Sequence, residues 1–342
     1  MNNLSHISLF AGMGGFMIGF NRLGIKTVLS NDVEPSCVRT LENFSFNKSC
    51  VDASICDKSW HSLANKYEPI DIVSGGFPCQ SFSIAGAQEG FDDVERGTRF
   101  FDMMRFVSSL KHPPKVLFLE NVANLRTYNE GQWMSAIVES IRATGYWLSD
   151  KHCMIINSAD VSKTPQQRER LFIVAYHSSY FRKNYFDIDF SGVSTKKKEL
   201  WSYIDRSARK ESRLYLDPEN THYLMIHEEA ENIGTDRLFQ IRRGSVRAVR
   251  EGICPTLTAN MGGGGHNVPF VIDDYGIRRL TVDECLALQG YQGHEVKFPD
   301  GMADSAKLKM IGNSVNPDVV EIIAKRIVED IQTYANRLAI SA

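Results

Sequence analysis

His6-Ile7-Ser8-Leu9-Phe10-Ala11-Gly12-Met13-Gly14-Gly15-Phe16-Met17-Ile18-Gly19-Phe20 decides how this chain folds. The run His6 to Ala11 has the composition of a buried strand, and the residues after it reach helical length through Phe20. Between them, glycines allow a tight strand-to-helix turn in which main chain can approach a ligand closely. A dinucleotide fingerprint, G-x-G-x-x-G, requires glycine three residues after Gly14, and that position is Met17. The loop by itself is weak evidence, and a tight turn that holds nothing is its lesser reading.

Outward from this unit the same alternation repeats. Thr27 to Ser30, Ile70 to Ser74, Lys115 to Leu119 and Arg170 to Ala175 are strand-like, while Arg99 to Leu110 and Gln132 to Thr144 have helical length. Strand and helix in alternation predict an α/β fold with a mostly parallel sheet covered on both faces. The second strand runs out at Ser30-Asn31-Asp32, where an acid can bridge the two hydroxyls of a ribose, and Asp52 ends a possible third segment. Such a pattern suits a nucleoside ligand without a bridging pyrophosphate.

Ile72-Val73-Ser74-Gly75-Gly76-Phe77-Pro78-Cys79-Gln80-Ser81-Phe82-Ser83 carries the chemistry. An apolar strand enters two glycines and a proline, which sets a thiol on a tight loop at a strand's carboxyl end, where open α/β sheets bind ligands. Cysteine is a strong nucleophile even when only a few per cent is thiolate. A small buried residue is the other reading of Cys79, and the flanking glycines and proline favour the first. Glu120 ends the apolar strand Val116 to Leu119, where a lone glutamate is either a solvated strand terminus or, beside a thiol and with its pKa raised by burial, a proton donor. Arg168 and Arg170 occupy alternate positions entering a strand, which predicts side chains on one face, and out of context an exposed salt-bridged pair is the plainer reading.

Beyond Tyr180 the chain becomes polar, irregular and charged as far as about Tyr275. It holds Lys196-Lys197-Lys198, the cluster Arg237, Arg242, Arg243, Arg247 and Arg250, and the run Gly262 to Gly265. We read it as a second, smaller domain with long loops. The last element is a helix that Asn316 can cap and Pro317 can open, with Val319, Ile322, Ile323, Ile327 and Ile331 on one face. That stripe needs a core, so the chain end is expected to return to the first domain. The boundaries are therefore 1–182, 183–278 and 279–342.

The chain has 342 residues, 43% of them hydrophobic and 23% charged, which is ordinary for a globular protein. A formal charge of −2 excludes a uniformly basic coat and leaves the question of nucleic acid to local patches. Seven scattered cysteines form no C-x-x-C pair, so no metal site and no disulfide framework is expected, and a reducing cytosol fits best. No basic stretch leads into an apolar core at the N-terminus, and no apolar run reaches membrane-spanning length.

Taken in order, these segments resemble the C5-cytosine-specific DNA methyltransferase family in its bacterial type II modification form. Phe10 to Gly15 is similar to its cofactor motif and Gly76-Phe77-Pro78-Cys79-Gln80 to its nucleophile motif. Glu120-Asn121-Val122 is similar to its acid motif and Gln167-Arg168-Glu169-Arg170 to its arginine motif. Arg279 to Cys285 with Leu288 to Tyr291 resembles the helix after the recognition domain, and Gly312-Asn313-Ser314-Val315 the closing motif. The resemblance implies a Rossmann-like, S-adenosylmethionine-dependent methyltransferase fold with a smaller target-recognition domain. It implies a cofactor site from Phe10, Gly12, Gly14, Gly15, Asp32, Val33, Asp52, Pro78, Asn313 and Ser314. Relatives often place an aromatic where Val33 stands, so the adenine contact differs here. It implies catalysis by Cys79, Glu120, Arg168 and Arg170 on a cytosine flipped out of double-stranded DNA. Contacts to that DNA would come from Gln80, Ser83, Arg237, Arg242, Arg243, Arg247, Thr256 and Thr258. A monomer acting in the bacterial cytosol, functionally paired with a restriction endonuclease, is the form it implies. Three rivals remain: a structured RNA as substrate, though the Cys-Phe-Thr sequence of that branch is absent; a DNA-binding regulator of the same fold; and, most distantly, a nicotinamide dehydrogenase.

Overall fold

The computed structural model describes residues 4–44, 50–52, 55, 62–78, 99–181, 199–242, 244–263 and 267–341. Two compact units divide the chain. The first comprises Met1–Ile156, Glu169–Val193 and Val319–Ala342, and the second Asn157–Arg168 and Ser194–Asp318. Residues 279–318, set apart above from the 183–278 domain, thus fall within the second unit.

The first unit is built on eight strands: β1 (Ser5–Leu9), β2 (Lys26–Asp32), β3 (Cys50–Asp52), β4 (Ile72–Gly75), β5 (Val116–Val122), β6 (Tyr146–Trp147), β7 (Cys153–Asn157) and β8 (Glu169–His177). They run in the order β3-β2-β1-β4-β5-β8-β6, with β7 beside β8. β1 to β5 are mutually parallel where they pair, whereas β8 runs antiparallel to both β5 and β6. Parallel strands are covered on both faces and read as continuous apolar runs, which is why β1, β4 and β5 were visible in the sequence.

Alternation along each strand sorts the two faces. Ile7, Leu9, Val73, Leu117, Leu119, Leu171 and Ile173 join Phe100, Met103, Met104 and Phe106 of α3 (Arg99–Ser109) and Ile137 and Ile141 of α4 (Gln132–Ala143) in one core. On the opposite face Phe118 meets Phe16 and Phe20 of α1 (Gly15–Arg22) edge-on. α2 (Pro35–Glu42) follows β2. Inside the sheet His6 joins three strands, with Nδ1 2.8 Å from Thr27 Oγ1 and Nε2 2.7 Å from Ser74 Oγ. Burial drops its pKa from 6.5 to about 3, so the ring is neutral.

The last helix, α9 (Pro317–Ser341), is capped by Asn316, whose Oδ1 accepts from Asp318 N at 2.9 Å. From Val319 onward it is counted with the first unit, where Val319, Val320, Ile323, Ala324, Ile327 and Ile331 are buried. Ile322 lies at the margin of this stripe, half-buried. A Cβ placed on Gly19 would lie 2.5 Å from a Val320 methyl, so only glycine lets α1 approach this closely. Asp330 accepts from the Tyr176 hydroxyl at 2.7 Å.

The second unit is more regular than its composition predicts. β9 (Phe239–Arg242), β10 (Ser245–Ala248), β11 (Pro269–Asp273) and β12 (Gly276–Arg279) form an antiparallel sheet in the order β10-β9-β11-β12. Helix α6 (Thr221–Ile233), capped by the Asn220 side chain, packs Ile226 and Ala230 against Phe239, Ile241, Phe270 and Ile277. The unit also holds α5 (Ser158–Val161), α7 (Val282–Leu288) and α8 (Asp304–Asn313). α7 opens with a reciprocal capping box between Thr281 and Glu284. Arg278 is fully buried and bridges Asp273 at 2.6 Å and Glu284 at 2.8 Å.

Candidate active site

The carboxyl ends of the parallel strands share one edge, since Leu9 pairs Gly75, Gly75 pairs Leu119 and Asp32 pairs Asp52. At the end of β1 the expected strand stops two residues early. Phe10 takes a left-handed conformation at φ 49°, a costly one for an aromatic residue, followed by Gly12 at 56° and Gly14 at 86°. The turn is held by β2: Ala11 N donates to Asn31 O at 2.9 Å, and Gly12 N donates to Asp32 Oδ2 at 2.8 Å. Asp32 Oδ1 accepts from Glu34 N at 2.9 Å. A carboxylate offers about four lone-pair positions, so with the amides of Gly12, Val33 and Glu34 facing it Asp32 still has room to accept from a ribose hydroxyl. Burial pushes the Asp32 carboxyl above its ordinary range, with the amides of Glu34 and Gly12 opposing that shift.

Two further features of this corner fit a nucleoside. A Cβ on Gly12 would meet no heavy atom within 4 Å, so open space lies against the turn. Val33, immediately after Asp32, is 59% exposed, an apolar side chain presented where an adenine would cover it.

β5 and β8 supply the polar centre of the edge. Glu120 pairs Phe172 and Val122 pairs Arg170, which sets Arg170 one diagonal step from Glu120 on the same face. Their side chains meet, Arg170 Nε to Glu120 Oε1, at 3.1 Å, both largely shielded from solvent. The β4 loop leaves room for this pair: a Cβ on Gly76 would sit 3.2 Å from Glu120 Oε2. Asn121 points the other way, is 4% exposed, and donates through Nδ2 to Phe77 O at 2.9 Å. Pro78 follows, exposed. Cys79, Gln80, Ser83 and Arg243 lie outside the described residues.

In the second unit the remaining predicted residues take definite places. β8 starts at Glu169, so the alternation expected to align Arg168 with Arg170 does not reach Arg168. Arg168 is 2% exposed and donates to three carbonyls, Leu257 O and Gly312 O at 3.0 Å and Ser314 O at 2.6 Å. Asn313 is exposed at the end of α8, and the buried Ser314 hydroxyl contacts that of Tyr291. Thr256 Oγ1 donates to Gln167 O at 2.6 Å and Thr258 Oγ1 to Asn260 Oδ1 at 2.6 Å. Arg237 is committed to Glu251 at 2.5 Å. Arg242 and Arg247 are exposed, make no ion pair among the described residues, and share the solvent face of the β9–β10 hairpin with Ser245.

A strained glycine turn, an acid at the next strand end and a Glu–Arg pair beside a Gly-Phe-Pro loop are accompanied by similarity along the chain. Residues 4–329 match the C-5 cytosine-specific DNA methylase family. The chain belongs to that family. The methylase is 34% identical over 325 residues to the type II methyltransferase M.Bsp6I of Bacillus sp. (strain RFL6), covering 94% of this chain and 97% of that one. It is 29% identical over 350 residues to M.HpaII of Haemophilus parainfluenzae, covering 95% and 89%. Among solved structures, the S. pombe Dnmt2 methyltransferase superposes with a TM-score of 0.68 at 18% identity over 96% of this chain and 99% of that one. A putative DNA modification methyltransferase encoded within an E. coli prophage gives 0.61 at 20% identity over 96% and 99%. These two likenesses establish the shared α/β methyltransferase fold.

The family and fold of the methylase imply S-adenosylmethionine as its methyl donor. No cluster of metal-ligating side chains and no helix long and apolar enough to cross a membrane occurs among its described residues. Two residues were given no role from the sequence, Asn121 and Gln166. The first had a readable signal: it follows Glu120 on a strand, so alternation aims it at the neighbouring loop. Gln166 had none, because the three partners of its side chain come from segments about 90 and 120 residues away. It donates to Leu288 O and Gln289 Oε1, and its Oε1 accepts from Leu257 N.

Proposed function

We propose that this methylase transfers a methyl group to carbon 5 of a cytosine flipped out of a specific double-stranded DNA sequence, with Cys79 as covalent nucleophile. The observation that carries this reading is the Arg170–Glu120 pair, 3.1 Å apart on the edge that the Phe77-Pro78 loop joins. The sulfur of Cys79 adds to carbon 6 while Glu120, protonated, donates to N3, and the displaced electron pair makes carbon 5 nucleophilic. S-adenosylmethionine, when bound, supplies the electrophilic methyl. Transfer of the carbon-5 proton to solvent then returns an electron pair to the ring and expels the Cys79 thiolate, and Glu120 takes back the proton it gave to N3. Arg170 orients Glu120 and donates to the base oxygen.

Phe10, Gly12, Gly14, Gly15, Asp32, Val33, Asp52 and Pro78, with Asn313 and Ser314, would hold the donor. Asp32 takes the ribose hydroxyls, and Val33 covers the adenine in place of an aromatic ring. Extruding the base costs a few kcal/mol, which contacts in the second unit offset. Arg242 and Arg247 are the foremost candidates, joined by Arg237, Arg243, Thr256 and Thr258, and from the first unit by Gln80 and Ser83. The physiological setting we propose is a monomer in the bacterial cytosol, protecting DNA alongside a restriction endonuclease. The test is DNA carrying 5-fluorocytosine incubated with S-adenosylmethionine. A denaturation-resistant protein–DNA adduct is expected, and Cys79→Ala abolishes it; an adduct undiminished in that variant, or seen with transfer RNA and not with DNA, overturns the reading.

A further inference from the structure

Four segments far apart in sequence meet in one buried polar knot within the second unit. Gln166 is fully buried and ties Leu257 N to Leu288 O and to Gln289 Oε1. Gln289 Nε2 donates to Ser314 O at 2.7 Å. Arg168 lies across the same knot, with one guanidinium nitrogen on Leu257 O and the other on both Gly312 O and Ser314 O. The main chain is locked as well. A Cβ on Gly312 would lie 2.2 Å from Thr258 C and 2.3 Å from Ala259 N, so the peptide joining Thr258 to Ala259 rests directly on Gly312.

Contact this close transmits displacement, because close-packed interiors do not absorb it. We infer that Arg168 is a positioning residue that couples the Thr256-Leu257-Thr258-Ala259 segment to the Gly312-Asn313-Ser314 loop, so that DNA bound at the first alters cofactor binding at the second. The inference rests on the roles proposed above for these two segments. Arg168 touches neither base nor donor in this scheme. Its planar fork is what the geometry uses, since one flat group reaches carbonyls on both segments at once. Coupling of this kind is reciprocal: whatever factor DNA adds to cofactor affinity, cofactor adds to DNA affinity.

Two measurements on the full chain test it. Calorimetric titration of S-adenosylhomocysteine, with and without unmethylated plasmid DNA, is expected to show tightening of about fivefold or more, the lower end of ordinary coupling. In Arg168→Gln the ratio falls to one, and Arg168→Lys restores part of it. An unchanged ratio in Arg168→Gln overturns the inference. Should that variant not fold, hydrogen exchange on the unaltered protein decides: S-adenosylhomocysteine alone slows amides in 257–261, and DNA alone slows those in 311–316. If neither segment responds to the other's ligand, the coupling is wrong. If the unaltered protein binds neither ligand, the functional proposal itself has failed and takes the coupling with it.

Discussion

The side-chain amide of Asn121 spans two strand ends, donating to the carbonyl of Phe77 while its own oxygen accepts from Val122 N at 2.8 Å. It therefore fixes the chain two residues before Cys79 against the strand that carries Glu120. Asn121→Ala removes a buried hydrogen bond and frees the loop. Misplacement of a nucleophile by about 1 Å costs about 100-fold in rate. The expected outcome is a single-turnover rate lower by about that factor with DNA affinity within about twofold. Equal losses in rate and affinity would mean that Asn121 acts only on overall structure.

Glu120→Gln keeps the shape of the side chain and removes its acid. The methylation rate falls by about 10² to 10⁴, the usual contribution of a positioned acid. Arg170→Lys retains charge without the fork, so it is expected to lose rate as well, with less effect on thermal stability than Arg170→Ala. Quench-flow methylation beside calorimetric melting separates the two. Wild-type rates in Glu120→Gln would remove the acid from the mechanism.

His6 makes stability fall with acidity. The folded ring resists protonation down to about pH 3, whereas the unfolded ring takes a proton near 6.5. Below 6.5 the unfolded state therefore binds more protons, and stability falls as pH drops, by about 2 kcal/mol between pH 7 and 5. Urea unfolding across that range should show this slope. His6→Gln, less stable at pH 7 but without the titrating ring, should flatten it. An identical slope in the variant would place the titration elsewhere.

Arg242 and Arg247 are exposed on the second unit's hairpin, where we propose that they meet phosphates, while Arg237 is held by Glu251. Replacing either of the first two by alanine should weaken DNA binding and reduce the salt slope of log K by about 1. Arg237→Ala should lower that slope by less, because Glu251 already neutralises part of its charge. Fluorescence anisotropy over a range of potassium chloride concentrations reads both.

Arg278 lies buried between two carboxylates. Arg278→Met strands Asp273 and Glu284 without their cation, a loss of about 3–5 kcal/mol for a broken buried pair. Arg278→Met combined with Asp273→Asn and Glu284→Gln should recover much of it. Thermal melts decide whether the double carboxylate is the cause.

Much of the first unit was legible because parallel strands are apolar throughout and end in glycine or acid. Asp32, Gly76 and Glu120 were found that way. The left-handed Phe10 was not, since an aromatic after Leu9 looks like more strand. Nor was the reversal of β8, because strand direction depends on a connection that local composition does not encode. α6 was missed for a plain reason: only Ile226 and Ala230 of its thirteen residues are buried, too few to print a helical period. Arg168 defeated simple alternation because the strand begins one residue later. Its partners, Leu257, Gly312 and Ser314, lie about 90 to 146 residues away, beyond the reach of spacing rules.

The reversed strand has a consequence for how such a protein can change. Because β8 enters the shared edge from the opposite direction, Arg170 stands on the second residue of a nine-residue strand, paired with Val122, rather than on a loop. The guanidinium is thus part of the scaffold. Substitutions can accumulate on the exposed β9–β10 hairpin while the guanidinium that holds Glu120 keeps its footing.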